Sequence, residues 1–197
     1  MAYRRTPAIQ ERIDAQRAAL VRAAAEILAE SGYAGCGVAA VAARAGVAAG
    51  TVYKHFAGKT DLVAEVFRNI VTHEVDVVRE AATRGTAAER TAAVVETFAG
   101  RALKYPRRAY VLLVEPVDPA IEELRLEFRH AFRDVIAASI AEGVTNGELP
   151  PQNASVVAAA LVGAIGEALV GPLATGSEEL DTVPTLIRFA HRAIGAR

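Results

Sequence analysis

Thr51, Tyr53, Lys54, His55 and Lys59 fall within nine residues of one another, directly behind the small residues Ala48, Ala49 and Gly50. Hydroxyl, phenol, ammonium and imidazole groups at this density can donate hydrogen bonds to phosphate oxygens and base edges. Small neighbours let a backbone come close to a groove. No comparable set for making or breaking bonds is present. His73, His130 and His191 are dispersed, and no pair of them has metal-ligand spacing. No glycine-rich phosphate loop follows a strand and no nucleophile elbow occurs, so catalytic residues, metal and cofactor are all expected to be absent.

Donors of this kind are useful only if an element holds them on one face. Residues 38–59, VAAVAARAGVAAGTVYKHFAGK, show two short apolar-periodic segments broken at Gly46. The pattern predicts a helix over 38–45, a tight turn, and a second helix over 49–56 that carries the donors, which is a helix-turn-helix layout. The bland alternative is a capped surface helix in an ordinary all-helical protein. Upstream, Ile13, Leu20, Ala24, Ile27 and Leu28 recur at helical spacing, predicting a helix over 9–31 that Gly32 ends. A fourth helix is expected from Lys59 to about residue 82, with Thr60 and Asp61 supplying acceptor and charge for its first turn.

Composition agrees with this layout. Of 197 residues, 52% are hydrophobic and 23% charged, and period-two alternation is scarce, which predicts a globular, almost all-helical chain. The net charge of −1 conceals an asymmetry: residues 1–60 carry eight basic and four acidic side chains, leaving −5 for the remainder. A basic N-terminal head on an acidic body suits nucleic-acid binding by the head. The single Cys36 fits a reducing cytoplasm. The N-terminus lacks the apolar stretch of a signal peptide. The long apolar run over 154–173 is interrupted by Glu167 and rich in Ala and Gly, so it reads as a buried or interface helix rather than a membrane span.

The body is expected to hold five further helices, near 87–104, 106–115, 119–142, 152–170 and 181–194. Asp118 and Pro119 start the third of these, and Pro184 falls in the first turn of the last. Phe98, Leu103, Tyr105, Tyr110, Leu113, Phe128, Phe132 and Ile136 form a stripe that either lines a cavity or makes plain core. Glu115, Arg125 and Arg129 flank the EPVDP break, either pairing across the junction or remaining solvated. Ala160, Gly163, Ala164 and Ala168 are small residues at three-to-four spacing. With Leu161, Ile165, Leu169, Leu186, Ile187, Phe189, Ala190 and Ile194 they could admit a helix from a second copy or pack within one chain.

The run GYAGCGVAAVAARAGVAAGTVYKHFAGKTDL resembles the N-terminal signature of TetR-family transcriptional regulators. The resemblance implies an all-α fold, with a helix-turn-helix head over 1–58 linked by the fourth helix to a ligand-binding and dimerisation domain over 59–197. It implies base-edge contacts from Ala49, Gly50, Tyr53 and Lys54, phosphate contacts from Thr51, His55 and Lys59, and an N-terminal arm carrying Arg4 and Arg5 into a minor groove. It implies a homodimer on a palindromic operator, with a small apolar or amphipathic effector releasing a repressor from DNA. Gly37 and Ala48 depart from the pattern, because such heads commonly place hydroxyl residues there. An effector-independent, low-specificity DNA-binding or partner-binding protein is the alternative.

Overall fold

The computed structural model describes residues 7–176 and 181–196. Arg4 and Arg5 lie outside the described residues. The elements are α1 (Pro7–Gly35), α2 (Val38–Arg44), α3 (Ala49–Tyr53), α4 (Lys59–Ala81), α5 (Ala87–Lys104), α6 (Pro106–Leu113), α7 (Pro119–Thr145), α8 (Ala154–Thr175) and α9 (Thr182–Ala193). Among the described residues the chain is all-helical, a small head followed by a helical body.

The head forms around one apolar cluster. Leu20, Ala24, Ile27 and Leu28 of α1 face Val41 of α2, Val52 of α3 and Leu62, Val63, Val66 and Phe67 of α4. Phe67 is fully buried, a burial that stabilises by roughly 1.5–3 kcal/mol. Gly46, at φ +69°, makes the turn between α2 and α3, where the Val47 N–H closes onto the Ala42 carbonyl at 2.9 Å. Gly32, at φ 71° and ψ −174°, breaks the helical path of α1 where the sequence placed its end, and a separate short turn runs on to Gly35. The recognition segment is shorter than expected. His55 and Phe56 N–H both reach the Val52 carbonyl at 2.9 Å, which closes the turn and drives Phe56 into the core.

The body has a second cluster, built from α5, the far half of α7, α8 and α9, with Val78 of α4 among its members. Thus α4 runs from one core into the other, and its first turns share the head's apolar cluster. Thr86 and Glu89 form a reciprocal capping box at the start of α5. Asp118 stands at the N-cap of α7 before Pro119, yet its carboxylate caps nothing there. Thr60 likewise caps nothing in α4; its hydroxyl donates to Asp118 at 2.6 Å. α8 continues past Pro172 and stops at Gly176 in the left-handed region. It is long and apolar enough, by length and composition, to cross a membrane. Leu161, Ile165, Leu169 and Leu173 turn inward against the rest of the body.

Candidate nucleic-acid interface and interior cavity

Ala48, Ala49 and Gly50 are exposed at the start of α3, and a side chain built on Gly50 would meet only open space. Tyr53 is 60% exposed and Lys54 is exposed beside it, while Thr51, His55 and Lys59 are half-buried around them. The small residues and the donors therefore share one end of the head. The Gln16 side chain lies 2.9 Å from His55 Nε2, which fixes the imidazole against α1, a contact that sequence spacing did not reveal. Arg17 lies over the Phe56 ring at 4.9 Å and pairs with Glu65 at 2.6 Å. Arg44 is held by Glu26 and Glu30. Neither α2 nor α3 has a side-chain cap, because Gly37 and Ala48 carry no acceptor.

Lys59 is held in place by an aromatic ring. Its ammonium sits 3.9 Å from the centre of the Tyr33 ring, and Tyr33 is gripped by the loop between α6 and α7. The Tyr33 hydroxyl donates to Asp118, Thr60 Oγ1 donates to the same carboxylate oxygen, and the Tyr33 N–H donates to Glu115 at 3.0 Å. The Glu115 carboxylate lies against Gly32, where an added Cβ would come within 2.7 Å of it. Arg107 of α6 adds a bond to the Glu30 carbonyl at 2.8 Å. Burial first, and the Asp118 bond second, push the Tyr33 phenol up to about 12. The Thr60 and Tyr33 hydroxyls hold Asp118 below its usual value.

Arg125 anchors that loop from α7. Only 5% exposed, it donates to the carbonyls of Leu112 at 2.9 Å, Val111 at 3.1 Å and Glu115 at 2.8 Å, and pairs with Glu122 at 2.6 Å. It thus caps the open carbonyls of α6 with one planar fork. Burial lowers its pKa, and Glu122 opposes the shift. Of the three charges flanking the break, Arg125 locks the body through backbone, Glu115 turns to the head, and Arg129 stays exposed.

Behind the loop lies a cavity of about 440 Å³, bordered by α4, α5, α6, α7 and α8. That size suits a small-molecule site. Phe98, Leu113, Phe128, Phe132 and Ile136 line it, and Phe98 meets Phe132 edge-on at 4.8 Å. Tyr105, Tyr110 and Leu103 do not line it. Tyr105 sits exposed at the α5–α6 corner under the Arg108 guanidinium, while Tyr110 and Leu103 pack on the body's core. Sequence reasoning also missed Glu74, Arg101 and Arg108, whose side chains meet at the cavity wall. Arg101 Nε lies 2.5 Å and Arg108 Nη2 3.2 Å from the Glu74 carboxylate. Among the described residues no group of three or more His, Cys, Asp or Glu is placed to hold a metal.

The expected interface residues divide. Ala160, Gly163 and Ala168 are exposed on α8, with Ala164 and Ile187 half-buried. Leu186, Ala190 and Ile194 are buried inside the chain, because α9 turns that face inward onto the body's core. Gly163 also borders the cavity. Val156 on α8 and Phe189 on α9 are exposed apolar residues.

Residues 20–66 match the model for bacterial regulatory proteins of the tetR family. The fatty acid metabolism regulator protein of Bacillus subtilis is 26% identical over 138 residues, covering 66% of this chain and 69% of that one. The transcriptional activator FasR of Mycolicibacterium smegmatis is 36% identical over 86 residues, 43% of this chain and 39% of its own length. In fold, the chain is similar to the Bacillus subtilis regulator FadR solved with stearoyl-CoA. The TM-score is 0.77 at 22% identity, covering 90% of this chain and 97% of the other.

Proposed function

We propose that this chain, whose residues 20–66 match the model for bacterial regulatory proteins of the tetR family, is a homodimeric TetR-family repressor released from a palindromic operator by an amphipathic effector. One observation carries the reading: α4 begins beside the exposed donors of the head and passes along the wall of the cavity. A ligand in that cavity can prefer one setting of α4 over another, and so change the separation of two heads on successive major grooves. In this reading the head comprises residues 1–58 and the regulatory body 59–197, with the family's cytoplasmic location.

Ala49, Gly50, Tyr53 and Lys54 are assigned to base edges, and Thr51, His55 and Lys59 to phosphates, with the arm at Arg4 and Arg5 in the minor groove. The second copy docks on the outward face of α8, where Ala160, Gly163, Ala164 and Ala168 permit close approach and Val156 supplies apolar contact. This accounts for a helix so apolar with so little of its surface covered. The effector is an acyl compound. The apolar cavity supports this class, as do a relative named for fatty acid metabolism and a fold neighbour that holds stearoyl-CoA.

The test is fluorescence anisotropy on the DNA upstream of the protein's own gene, with and without random competitor and dodecanoyl-CoA. Tyr53→Ala should weaken binding by about tenfold, in line with the loss of one good contact. Lys59→Ala should lower the salt slope by about one. Unchanged affinity in both variants refutes the assigned face. The uncapped starts of α2 and α3 favour a second reading, a low-specificity DNA binder, which equal affinity for random and upstream DNA would select.

A further inference from the structure

We infer that Arg101 and Arg108 form an anion-recognition subsite in the cavity wall, and that Glu74 occupies it as a built-in stand-in for the ligand's acidic head group. The inference rests on the reading of the cavity as an effector site. Two guanidinium groups converge on one carboxylate, leaving an excess positive charge at an apolar wall. Glu74 is 16% exposed, and the arginines 32% and 33% exposed, so this is a partly desolvated site where charge counts for more than on an open surface. Arg108 is further fixed by the Tyr105 ring beneath it at 4.6 Å, which orients its donors before a ligand arrives.

Other cations near the cavity are less suited. Arg125 is committed to backbone carbonyls, Arg133 is paired with Asp134 at 2.7 Å, and Arg129 and His130 are solvent-exposed. A ligand that combines an apolar chain with a carboxylate or phosphate can fill the cavity and compete for both arginines. Each of the three partners comes from a different helix, Glu74 from α4, Arg101 from α5 and Arg108 from α6. Displacing Glu74 would therefore free the middle of α4. Glu74 lies fifteen residues beyond Lys59, which is about 22 Å along the helix. The ligand then has differential affinity for two settings of α4, which any shift of population requires.

The experiment measures binding of dodecanoate, dodecan-1-ol and dodecanoyl-CoA by calorimetry to the wild-type dimer, Glu74→Gln and Arg101→Gln/Arg108→Gln. Glu74→Gln removes the competing charge while keeping its size, and should tighten an anionic ligand by about tenfold without changing the alcohol. The double arginine variant should lose the preference for the anion while keeping the alcohol. Gain with dodecanoate identifies a carboxylate as the head group; gain confined to dodecanoyl-CoA identifies the carrier's phosphates. If the acid and alcohol bind alike and Glu74→Gln alters neither, or alters melting temperature alone, the three residues are a structural bridge and the inference is wrong. If none of the three compounds binds, the acyl-effector reading fails instead. Circular dichroism of Arg101→Lys/Arg108→Lys, which keeps both charges, separates loss of recognition from loss of folding.

Discussion

Replacing Arg125 by Met should damage the molecule more than any other single change at the junction of head and body. The side chain is 5% exposed and satisfies the carbonyls of Val111, Leu112 and Glu115 while pairing with Glu122. Met has nearly the length of the arginine stem, so the packing loss is small and the missing donors dominate. Removing one partner from a buried charged network costs about 3–5 kcal/mol, less whatever water can restore to the carbonyls. For a chain of this size each kcal/mol lowers the melting temperature by about 2–4 °C, so the expected fall is about 6–20 °C. Thermal unfolding followed by circular dichroism measures it. Arg125→Lys should fall between the two, since one ammonium cannot span three carbonyls with a planar fork. A fall below about 3 °C for Arg125→Met refutes the account of α6 as held by this residue. Effector-induced release of DNA should also weaken in Arg125→Lys, because the loop that grips Tyr33 loses its anchor.

Gly143→Ala would place a Cβ 2.3 Å from the Ala87 Cβ, so it should destabilise by about 1–3 kcal/mol in a denaturant melt, and Ala87→Gly should recover part of the loss. Ala168→Glu puts charge on the outward face of α8 without entering the chain's own core, and sedimentation should shift from dimer to monomer with no change in helicity. The contacts of Asp118 and Tyr33 should show two pH limits in thermal melts. Asp118 is held below its usual value, so its contribution is complete above about 4 and disappears as pH falls through the lower folded value, a slope Asp118→Asn should remove. The Tyr33 phenol is raised to about 12, so its contribution is complete below about 10 and declines as pH rises towards 12, and Tyr33→Phe should flatten that limb.

Much of the fold was legible because helical periodicity and glycine placement are local signals. Leu20, Ala24, Ile27 and Leu28 name the buried face of α1, and Gly46 names the turn before α3. Periodicity says that a face is covered, not what covers it. That is why Leu186, Ala190 and Ile194, an apolar stripe compatible with a partner, lie against the chain's own body. The same gap hid the position of Tyr105, whose aromatic ring belongs to a corner rather than to the cavity. Asp118 shows a different failure. Before Pro119 it has the sequence of a helix cap, but Tyr33 and Thr60, both far away in the chain, compete for its carboxylate and win it. The Glu74 cluster joins residues 27 and 34 positions apart, a pairing that no motif encodes.

These contacts give the body two holds on the head, and the cavity touches both. α4 is clamped at Glu74 by α5 and α6, and Tyr33 is clamped by the loop that Arg125 secures. A ligand that displaced Glu74 alone would leave Tyr33, and with it Lys59, latched to Asp118 and Glu115. One that pressed on the α6 end alone would leave α4 fixed in its middle. Glu74, Leu112 and Arg125 all border the same cavity, so under the proposed effector reading one occupant would meet both holds together. Coupling of this kind would require two discrete settings of these packed elements that one ligand biases, rather than mere proximity along a path. It also ties the head's weakest point to its strongest. α3 lacks side-chain caps and α2 offers no hydroxyl, so under the proposed DNA-binding reading phosphate anchoring would fall more heavily on Lys59, which the Tyr33 ring holds.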